Sequence, residues 1–578
     1  MKLRRREPGP PCLQDAGIHP VLAQVFSTRG LRSPDDLALG LSHLLSPAGF
    51  LGLPEAAALL SSALLHREKI LFVGDFDADG ATSIAVGLSL LQAMGAADVE
   101  FLVPNRFDYG YGLSPEIVEL ARQRNPAVLV TVDNGISSIA GVARASELGI
   151  RTLVTDHHLP GDELPRADVI VNPNQPGCGF PSKNLAGVGV IFYVMSALRR
   201  HLQEQGWFER QGLSAPSLAQ VLDLVALGTV ADVVPLDRNN RILVQQGLMR
   251  IRAGETRPGI RALLEIAGRS LQRLVASDLA FAVAPRLNAA GRLDDMTIGI
   301  NCLLAEDMSA ARQTAAQLDS LNQERRQIEQ TMQQQAEGLL TDLALTEDVQ
   351  ARKSVCLYQP GWHQGVVGIV ASRVKDKLHR PVIAFAEADD GVLKGSARSI
   401  PGLHIRDALE RVSTEHPGLI EKFGGHAMAA GLSLPGQHFE RFRDALEAAV
   451  TQLIDEEHLQ SVILSDGALD ASALDLGLAR ELRYAAPWGQ HFPEPLFDGT
   501  FTVVQQRIVG GRHLKLVLSP ADDPGLVLDA IAFNVDLTQW PDASVERVSA
   551  AYRLDCNFYR GEESLQLMVE YLAPAAGG

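Results

Sequence analysis

The sequence predicts a doubly wound α/β domain, a smaller α/β domain joined to it by a long helix, and a C-terminal β-barrel. From Lys69 onward, short apolar runs rich in β-branched residues alternate with amphipathic segments of helical length, the pattern of a parallel sheet covered by helices. Glutamine, glutamate and alanine fill residues 309–345, with no glycine until Gly338, which predicts one long helix. After Ser461 the apolar runs shorten between glycine, proline and aspartate, which favours a barrel.

The chain of 578 residues is longer than one hydrophobic core supports, since single cores stop growing near ~250 to 300 residues. We therefore expect several domains. The predicted regions are an N-terminal helical region (1–60), the doubly wound α/β domain with a helical extension (61–308), the connecting helix (309–345), the smaller α/β domain (346–458) and the barrel (459–578).

Composition limits the functions that the chain can have. The net charge of −17 argues against a protein that coats nucleic acid non-specifically, so any DNA path must be a local basic groove. The five cysteines include no C-x-x-C pair, which favours a reduced, cytoplasmic setting over a zinc module or a disulfide framework. The most apolar run, residues 221–236, contains two aspartates and is shorter than the ~20 residues of a membrane span. We expect no contact with a membrane.

Five strands are predicted in the first domain, with helices between them over residues 81–94, after Ser114-Pro115 and over residues 137–148. In chain order the strands are KILFVGD, VEFLV, AVLVTVD, RTLVTD and DVIVN. The serine is a good N-cap, and the proline after it suits the first helical position.

A second α/β unit is predicted from Val355 to about residue 455, with two glycine-rich segments, GWHQGVVGIVASR and FGGHAMAAG. In the C-terminal region, FTVVQQRIVGGRHLKLVL predicts two strands joined at Gly510-Gly511.

Acidic and imidazole side chains follow three strands of the first domain. Because ligands bind at the carboxyl ends of strands in such sheets, we expect these side chains to converge in one crevice. They are Asp75, Asp77, Asp79, Asp133, Asp156, His157 and His158.

The segment GDFDADG (74–80) places three carboxylates at alternate positions, a spacing that suits a hard divalent cation. An EF-hand is one alternative, but that motif needs a preceding helix and a glutamate at its twelfth position, where this chain has Val86. The other alternative is a solvated aspartate turn after a strand.

Three further elements carry candidate ligands. Asp133 follows a buried strand, where it either meets a cation or caps the next helix. The adjacent His157 and His158 favour a metal site over a structural role because the topology directs them toward carboxylates. Asp232 lies in an apolar segment, so its carboxylate needs a partner. Together these groups suit two divalent ions about 3.5 to 4 Å apart, an arrangement that supports in-line phosphoryl displacement.

The ordered motifs GDFDADG, VDNGI, DHH and TVADVVPL resemble those of the DHH phosphoesterase family. Further strings resemble a branch of that family that degrades single-stranded DNA from its 5′ end. They are VPNRFDYGYGLSP, NPNQPGCGFPSKNLAGVGV, APRLNAAGRLDD, HQGVVGIVASR and FGGHAMAAG. The resemblance covers nearly the whole chain in order.

The resemblance implies roles for the candidate ligands. The metal ligands it implies are Asp77, Asp79, Asp133, His157 and Asp232, with Asp133 bridging two ions. Asp75 would lie next to these ligands without being one of them. His158 is similar to a non-ligand histidine that donates to a phosphate oxygen, and its alternative role is to orient His157.

The resemblance also implies the substrate path. The second α/β unit is similar to the family's DHHA1 domain, in which Ser372, Arg373, Gly424, Gly425 and His426 would hold the terminal phosphate of a strand. A tight turn and a solvated helix face are the alternatives for the glycines and the arginine. Other implied contacts along the strand are Arg106, Tyr109, Tyr111, Arg286, Arg292 and Arg398.

The C-terminal barrel resembles an OB-fold. Arg507, Arg512, His513 and Lys515 give it a basic edge, whereas the nearby aromatics Trp488, Phe492 and Phe501 suit core packing as well as base stacking.

The function that follows is release of 5′ mononucleotides from single-stranded DNA, with two Mg²⁺ or Mn²⁺ ions, in recombination and repair. These ligand types bind both Mg²⁺ and Mn²⁺, so the sequence does not predict which of the two the protein uses. A helicase, a single-strand-binding protein and a monomeric state are implied by the resemblance alone. Two alternatives are a pyrophosphatase or short-oligonucleotide phosphodiesterase with the same metal site, and an inactive DNA-binding scaffold that would have lost ligands.

Overall fold

The structure is a computed structural model that describes residues 2–104, 112–344, 352–388 and 391–575. The chain forms two compact units. The larger comprises residues 5–319 and 464–578, and the smaller comprises residues 1–4 and 320–463. Among the described residues, no helix is both long enough and apolar enough to cross a bilayer.

The larger unit contains a five-stranded parallel sheet, as predicted. Its strands are β2 (Ile70–Gly74), β3 (Val99–Leu102), β4 (Val128–Val132), β5 (Arg151–Thr155) and β6 (Val169–Val171). Their order across the sheet is β3-β2-β4-β5-β6. Every residue of β2 and β4 is buried, which explains why both strands are continuous apolar runs.

Helices cover both faces of this sheet, which confirms the doubly wound fold. The N-terminal helices are α1 (Pro20–Thr28) and α2 (Leu53–Leu65). The helices between strands are α3 (Ala78–Ala93), α4 (Pro115–Arg122) and α5 (Ile139–Glu147). Ser114 caps α4 by accepting a hydrogen bond from the Ile117 amide, as its position predicted.

A helical extension follows β6. Its helices are α6 (Gly187–Glu204), α7 (Trp207–Gln211), α8 (Leu222–Ala231), α9 (Arg238–Arg252), α10 (Pro258–Ile266), α11 (Ala284–Leu293) and α12 (Thr297–Leu304). A π-helical turn, Leu279–Val283, leads into α11. The long helix α13 (Met308–Ala344) comes next, and the boundary between the two units falls within it.

The smaller unit contains a mixed five-stranded sheet. Its strands are β7 (Val355–Tyr358), β8 (Val382–Glu387), β9 (Val392–Arg398), β10 (Lys422–Gly425) and β11 (Ala429–Pro435). Their order is β10-β11-β9-β8-β7, and only β7 and β8 pair in parallel. The helices of this unit are α14 (Val367–Leu378), α15 (Ile405–Glu415) and α16 (Phe439–Leu453).

The C-terminal region of the larger unit is a closed five-stranded barrel, as predicted. Helix α17 (Leu476–Tyr484) precedes it. The strands are β13 (Phe497–Val509), β14 (His513–Pro520), β15 (Leu528–Ala532), β16 (Arg547–Tyr559) and β17 (Glu562–Pro574). Their order is β13-β14-β15-β17-β16. Strand β1 (Lys2–Arg5), which pairs with β12 (Val462–Ser465), was not predicted from the sequence.

Candidate metal centre

The carboxyl ends of three neighbouring strands bring the predicted acids together. In the parallel register, Gly74 of β2 pairs with Val132 of β4, and Val132 pairs with Thr155 of β5. Asp75, Asp133 and Asp156, the residues that follow these strand ends, therefore lie side by side at one edge of the sheet.

The loop after β2 fixes two more carboxylates. Asp77 is the N-cap of α3, and its Oδ1 accepts hydrogen bonds from the amides of Asp79 at 2.9 Å and Gly80 at 3.1 Å. Asp79 is 1% exposed, and its two oxygens accept the amides of Gly187 at 2.6 Å and Val188 at 2.9 Å. These amides begin α6, so the positive end of a helix dipole stabilises the buried carboxylate.

Asp133 has left-handed backbone geometry, with φ of 61°. It is 2% exposed, and the start of α6 packs directly against it. A Cβ atom added at Gly187 would lie 2.7 Å from the Asp133 Cβ, so only glycine allows this approach. The next side chain, Asn134, donates to the carbonyls of Val73 at 3.2 Å and Val132 at 2.9 Å and thereby ties β2 to β4.

Asp156 orients the two histidines that follow it. Its Oδ1 accepts hydrogen bonds from the His157 amide at 2.7 Å, the His158 amide at 3.1 Å and His158 Nδ1 at 2.7 Å. From the next strand end, Asn174 donates to the His157 carbonyl at 2.6 Å, and Asn172 donates to the His158 carbonyl at 2.9 Å. Neither asparagine was predicted from the sequence to belong to the site.

The predicted ligands form three groups in which candidate ligand atoms lie within 4.8 Å of one another: Asp133 with His157 and His158, Asp79 with His157 and Asp232, and Asp75 with Asp77 and Asp133. His157 Nε2 lies 3.1 Å from Asp133 Oδ1 and 3.4 Å from Asp232 Oδ2. Asp232 caps the C-terminal end of α8 rather than lying within the core. Asp133 and His157 each belong to two groups.

The carboxylates crowd one another enough to shift their ionisation. Burial and the neighbouring charge of Asp232 raise the pKa of Asp79 to about 7. Burial and Asp77 raise the pKa of Asp232 to about 8, and burial raises the pKa of Asp133 well above its usual range. Burial lowers the pKa of His157, which favours the neutral ring that binds metals.

The donor set fits divalent cations. No described lysine or arginine forms an ion pair with Asp79 or Asp232, and His157 Nε2 makes no hydrogen bond with any described residue. Buried carboxylates without a basic partner are costly unless a cation compensates them. Oxygen ligands with one imidazole suit Mg²⁺ and Mn²⁺.

Helix α11 supports the ligand loop. Asn288 Oδ1 accepts the amide hydrogen of Ala78 at 2.7 Å, and a Cβ at Gly291 would collide with the Phe76 carbonyl oxygen at 1.7 Å. Neither contact was predicted from the sequence, although a glycine within a helical pattern indicates close packing. In the same helix, Arg286 is 8% exposed and its Nε donates to Asp319 at 2.8 Å, whereas Arg292 lies in the last turn and is half-buried.

The barrel also carries residues that were predicted to contact the DNA strand. Arg512 is exposed before β14, and Lys515 pairs with Asp529 at 2.9 Å. Phe492 and Phe501 are buried in the core, as the packing alternative predicted. Arg106, Tyr109 and Tyr111 lie outside the described residues.

In the smaller unit, Arg373 of α14 is 59% exposed and its Nε donates to Glu329 at 3.1 Å. The hydroxyl of Ser372 donates to the Gly368 carbonyl in the same helix. Arg398 is half-buried beside Gly368, and it donates to the Ser396 hydroxyl at 3.0 Å. Burial lowers the pKa of its guanidinium.

The glycine-rich turn of the smaller unit joins β10 to β11. Gly425 has φ of 140° and is confined by the backbone of Ala429 and Ala430, so a side chain does not fit there. The space around Gly424 is open, and the exposed His426 donates its amide to the Ala429 carbonyl at 2.8 Å. The turn alternative therefore accounts for Gly425 and leaves Gly424 unexplained.

A doubly wound sheet with aspartates and histidines at its carboxyl edge, followed by a smaller α/β unit, defines a DHH-type protein. The sequence profile of the "DHH family, N-terminal domain" matches residues 69–229, and that of the "DHHA1 domain" matches residues 351–452. The profile of the "RecJ OB domain" matches residues 465–571.

The chain belongs to the RecJ family. It is 55% identical over 573 residues to the single-stranded-DNA-specific exonuclease RecJ of Dickeya dadantii, and 53% identical over 574 residues to that of Escherichia coli K12, with 99% of each chain covered. The structure also resembles RecJ of Thermus thermophilus in complex with Mn²⁺, with a TM-score of 0.81 and 30% identity over 100% of this chain and 80% of that one. The predicted resemblance is confirmed.

Gly187→Ala is expected to weaken binding of Mn²⁺ by ~10-fold or more, as losses around metal ligands commonly do. The added methyl would lie 2.9 Å from Asp133 Oδ1 and displace it, although alanine itself favours the helix. Gly189→Ala is the matched control, since its Cβ would meet only the flexible Leu185 side chain at 3.0 Å. Calorimetric titration with Mn²⁺ measures both variants, and equal affinities would show that Gly187 does not position Asp133.

Proposed function

We propose that the protein hydrolyses phosphodiester bonds in single-stranded DNA from the 5′ end, releasing 5′ mononucleotides, with two divalent ions at the carboxyl edge of the β2–β6 sheet. The observation that carries the proposal is the position of Asp133 in two of the three candidate ligand groups. Structures of the Thermus thermophilus relative in complex with Mn²⁺ and with Mg²⁺ support the choice of ions.

The proposed metal ligands are those predicted from the sequence, with Asp133 shared between two ions. They are Asp77, Asp79, Asp133, His157 and Asp232. When bound, a pair of divalent ions supplies an activated water and neutralises charge on the attacking and leaving oxygens. Asp75 belongs to one candidate group and accepts the amide of Phe76 at 2.8 Å, and we assign it to positioning of the ligand loop.

His158 is proposed to stabilise the charge that develops on the phosphate. Burial opposes protonation of its ring, but the hydrogen bond to Asp156 and the charge of that residue outweigh burial and raise the pKa of His158 to about 9. The imidazolium therefore persists at neutral pH. Since Nδ1 is held by Asp156, Nε2 is the ring nitrogen that donates to a phosphate oxygen.

Digestion that starts at the 5′ end requires a second anchor for the DNA strand besides the metal ions, because the metal chemistry is the same at every phosphate. We assign this anchor to the smaller unit, where Ser372, Arg373, the turn at Gly424 and Gly425, and His426 would hold the 5′ phosphate. Arg373 keeps part of its guanidinium exposed while its Nε pairs with Glu329. The side chains proposed to contact the rest of the strand are Arg106, Tyr111, Arg286, Arg292, Arg398, Arg512 and Lys515.

Arg373→Ala is expected to lower the initial rate on 5′-phosphorylated strands by ~10-fold or more, the effect of losing a charge-assisted hydrogen bond. Strands with a 5′ hydroxyl should lose less. Lys377→Ala, one turn later in α14, is the control because Lys377 also forms an exposed ion pair with α13, with Glu337. Equal losses on both kinds of strand at subsaturating DNA would leave Arg373 as a structural residue or a general backbone contact.

The proposed setting is DNA recombination and repair in the cytoplasm, beside a helicase and a single-strand-binding protein, with the protein acting as a monomer. The unpaired state of all five cysteines agrees with a reducing compartment. Co-purification and sedimentation measurements test these partners and the oligomeric state.

Digestion of end-labelled DNA tests the proposed function. With Mg²⁺ or Mn²⁺, a 5′ label on a single strand should appear at once as mononucleotide, while a 3′ label should be released last. Chelator should stop both, and a blunt duplex should resist. Early release of the 3′ label would contradict the polarity, cleavage confined to very short strands would indicate an oligonucleotide phosphodiesterase, and binding without cleavage would indicate a scaffold.

A further inference from the structure

Apolar packing holds the second half of α13 against α14 in the smaller unit, to which α13 belongs from residue 320 onward. The side chains that form this contact belong to one buried cluster. They include Met332 and Ala336 of α13 with Val370, Ala371 and Val374 of α14. Because this contact fixes the two helices against each other, the charged side chains beside it have defined partners.

Glu329 is the buried acid beside this contact. It is 7% exposed, and each of its carboxylate oxygens holds one guanidinium. Oε1 accepts a hydrogen bond from Arg373 Nε at 3.1 Å, and Oε2 accepts one from Arg325 Nη1 at 2.6 Å. Arg325 is itself 9% exposed, and its Nε and Nη2 donate to Asn322 Oδ1 at 3.3 and 3.1 Å. Glu329 is therefore held in place from its own helix while it binds Arg373 of the other.

Arg373 is bound at one edge of its guanidinium and open at the other. The side chain is 59% exposed although its Nε donates to Glu329. Among the described residues, no hydrogen-bond acceptor contacts Nη1 or Nη2. These two nitrogens form the part of the guanidinium that binds a phosphate through parallel hydrogen bonds.

The charges around Glu329 favour an anionic ligand. Burial lowers the pKa of Arg325 against the opposing charge of Glu329, and the positive charges of Arg326 and Arg373 add to the lowering. Both cations therefore act on the same buried pair. Three arginines against one carboxylate leave an excess of positive charge, and Arg373 and Arg326 expose it to solvent.

We propose that Glu329 is a positioning residue for the 5′-phosphate anchor, which fixes the Nε edge of Arg373 so that Nη1 and Nη2 face the terminal phosphate as a preformed fork. This inference rests on the function proposed above for Arg373. A long side chain that must be ordered on binding costs roughly 2- to 10-fold in affinity, and Glu329 removes this cost because it orders Arg373 beforehand. Arg325 neutralises Glu329, so the acid does not repel the phosphate.

A double variant, Arg325→Gln with Glu329→Met, tests this role. Removal of Glu329 alone would leave Arg325 as a buried charge without a partner, whereas removal of both charges keeps the net charge and spares the fold. The glutamine retains a donor for Asn322. The matched control is Lys377→Gln with Glu337→Met, which breaks an exposed ion pair of 3.0 Å further along the same two helices.

Initial rates at subsaturating DNA, measured on 5′-phosphorylated and 5′-hydroxyl single strands, give the phosphate preference of each variant as a ratio. The Arg325→Gln, Glu329→Met variant should lower this ratio by roughly 2- to 10-fold, with little change on hydroxyl-ended strands, and the control should keep the wild-type ratio. Added to Arg373→Ala, the double variant should lower the ratio no further, because Glu329 acts through Arg373. Thermal unfolding shows that each variant is folded.

Arg373→Lys tests the same idea with the buried pair intact. A single ammonium cannot bind Glu329 and a phosphate through separate edges as a guanidinium does, so this variant should lose most of the phosphate preference. Its exposed position makes unfolding no concern. A wild-type preference in Arg373→Lys would show that no fixed fork is needed.

Four other results would overturn the proposal. A wild-type ratio in the double variant, while Arg373→Ala loses its preference, would show that Arg373 needs no positioning by Glu329. Equal losses on both kinds of strand would make the buried pair purely structural, and a further fall in the Arg373→Ala background would show that Glu329 acts elsewhere. An unchanged ratio in Arg373→Ala itself would remove the proposed anchor and its positioning residue together.

Discussion

Asp133→Ala is expected to abolish DNA hydrolysis, with a loss of about 10⁴-fold or more, while binding of single-stranded DNA stays nearly intact. This carboxylate belongs to two ligand groups and lies 3.1 Å from His157 Nε2, so its removal disturbs both proposed ion positions. Metal ions supply several kcal/mol of transition-state stabilisation, and each 1.4 kcal/mol is worth about tenfold in rate. Single-turnover digestion and filter binding measure the two properties.

The backbone at Asp133 requires its own control, because φ there is 61° and alanine tolerates that geometry less well than aspartate. Asp133→Asn keeps the shape and a residue that accepts positive φ, and it should lose nearly as much activity as the alanine variant. Asp98→Ala, at the opposite end of the same sheet, removes an aspartate whose one ion pair with a described residue is to Lys69 at 3.3 Å, and this variant should remain active. Substantial activity in Asp133→Asn would remove this carboxylate from the site.

His158→Ala is expected to lower kcat by ~10² to 10³ while the affinity for Mn²⁺ stays close to that of the wild type. A single donor aimed at a developing oxyanion is commonly worth this much. The structure gives the ring a dedicated partner, since Nδ1 binds Asp156 at 2.7 Å and that carboxylate also holds the amides of both histidines. Steady-state kinetics at saturating metal and a parallel Mn²⁺ titration separate the two effects.

His157→Ala is the contrasting variant, because His157 Nε2 lies among the carboxylates of Asp133 and Asp232. It should lose metal affinity as well as activity. If His158→Ala instead lost the metal, the assignment of the two histidines would be reversed, since both lie in one candidate group with Asp133.

The sheet and its acidic edge could be predicted because their signals are local. The buried runs that became β2, β4 and β5 each end one residue before an aspartate, and a parallel sheet places such ends together. The long helix and the barrel could also be predicted from local signals, since α13 has no glycine before Gly338 and Gly510-Gly511 joins β13 to β14.

The supporting contacts of the site could not be predicted because they join residues that are distant in the chain. Asp79 accepts amides from a helix that begins 108 residues later, and Ala78 donates to Asn288, 210 residues away. Nothing near Gly187 indicates that its missing side chain makes room for Asp133. The role of Asp156 was also hidden, since an aspartate before two histidines suggests a ligand until its hydrogen bonds are seen.

Counting bound Mn²⁺ by electron paramagnetic resonance tests the central claim most directly, namely that the buried carboxylates hold a pair of divalent ions shared by Asp133. The wild-type protein should bind two ions per chain and give the broadened, spin-coupled signal of ions that share a ligand. Asp133→Asn should lose the coupled signal, whereas Asp98→Ala should retain it. A single uncoupled ion in the wild-type protein, or a coupled pair that survives in Asp133→Asn, would contradict the two-ion centre.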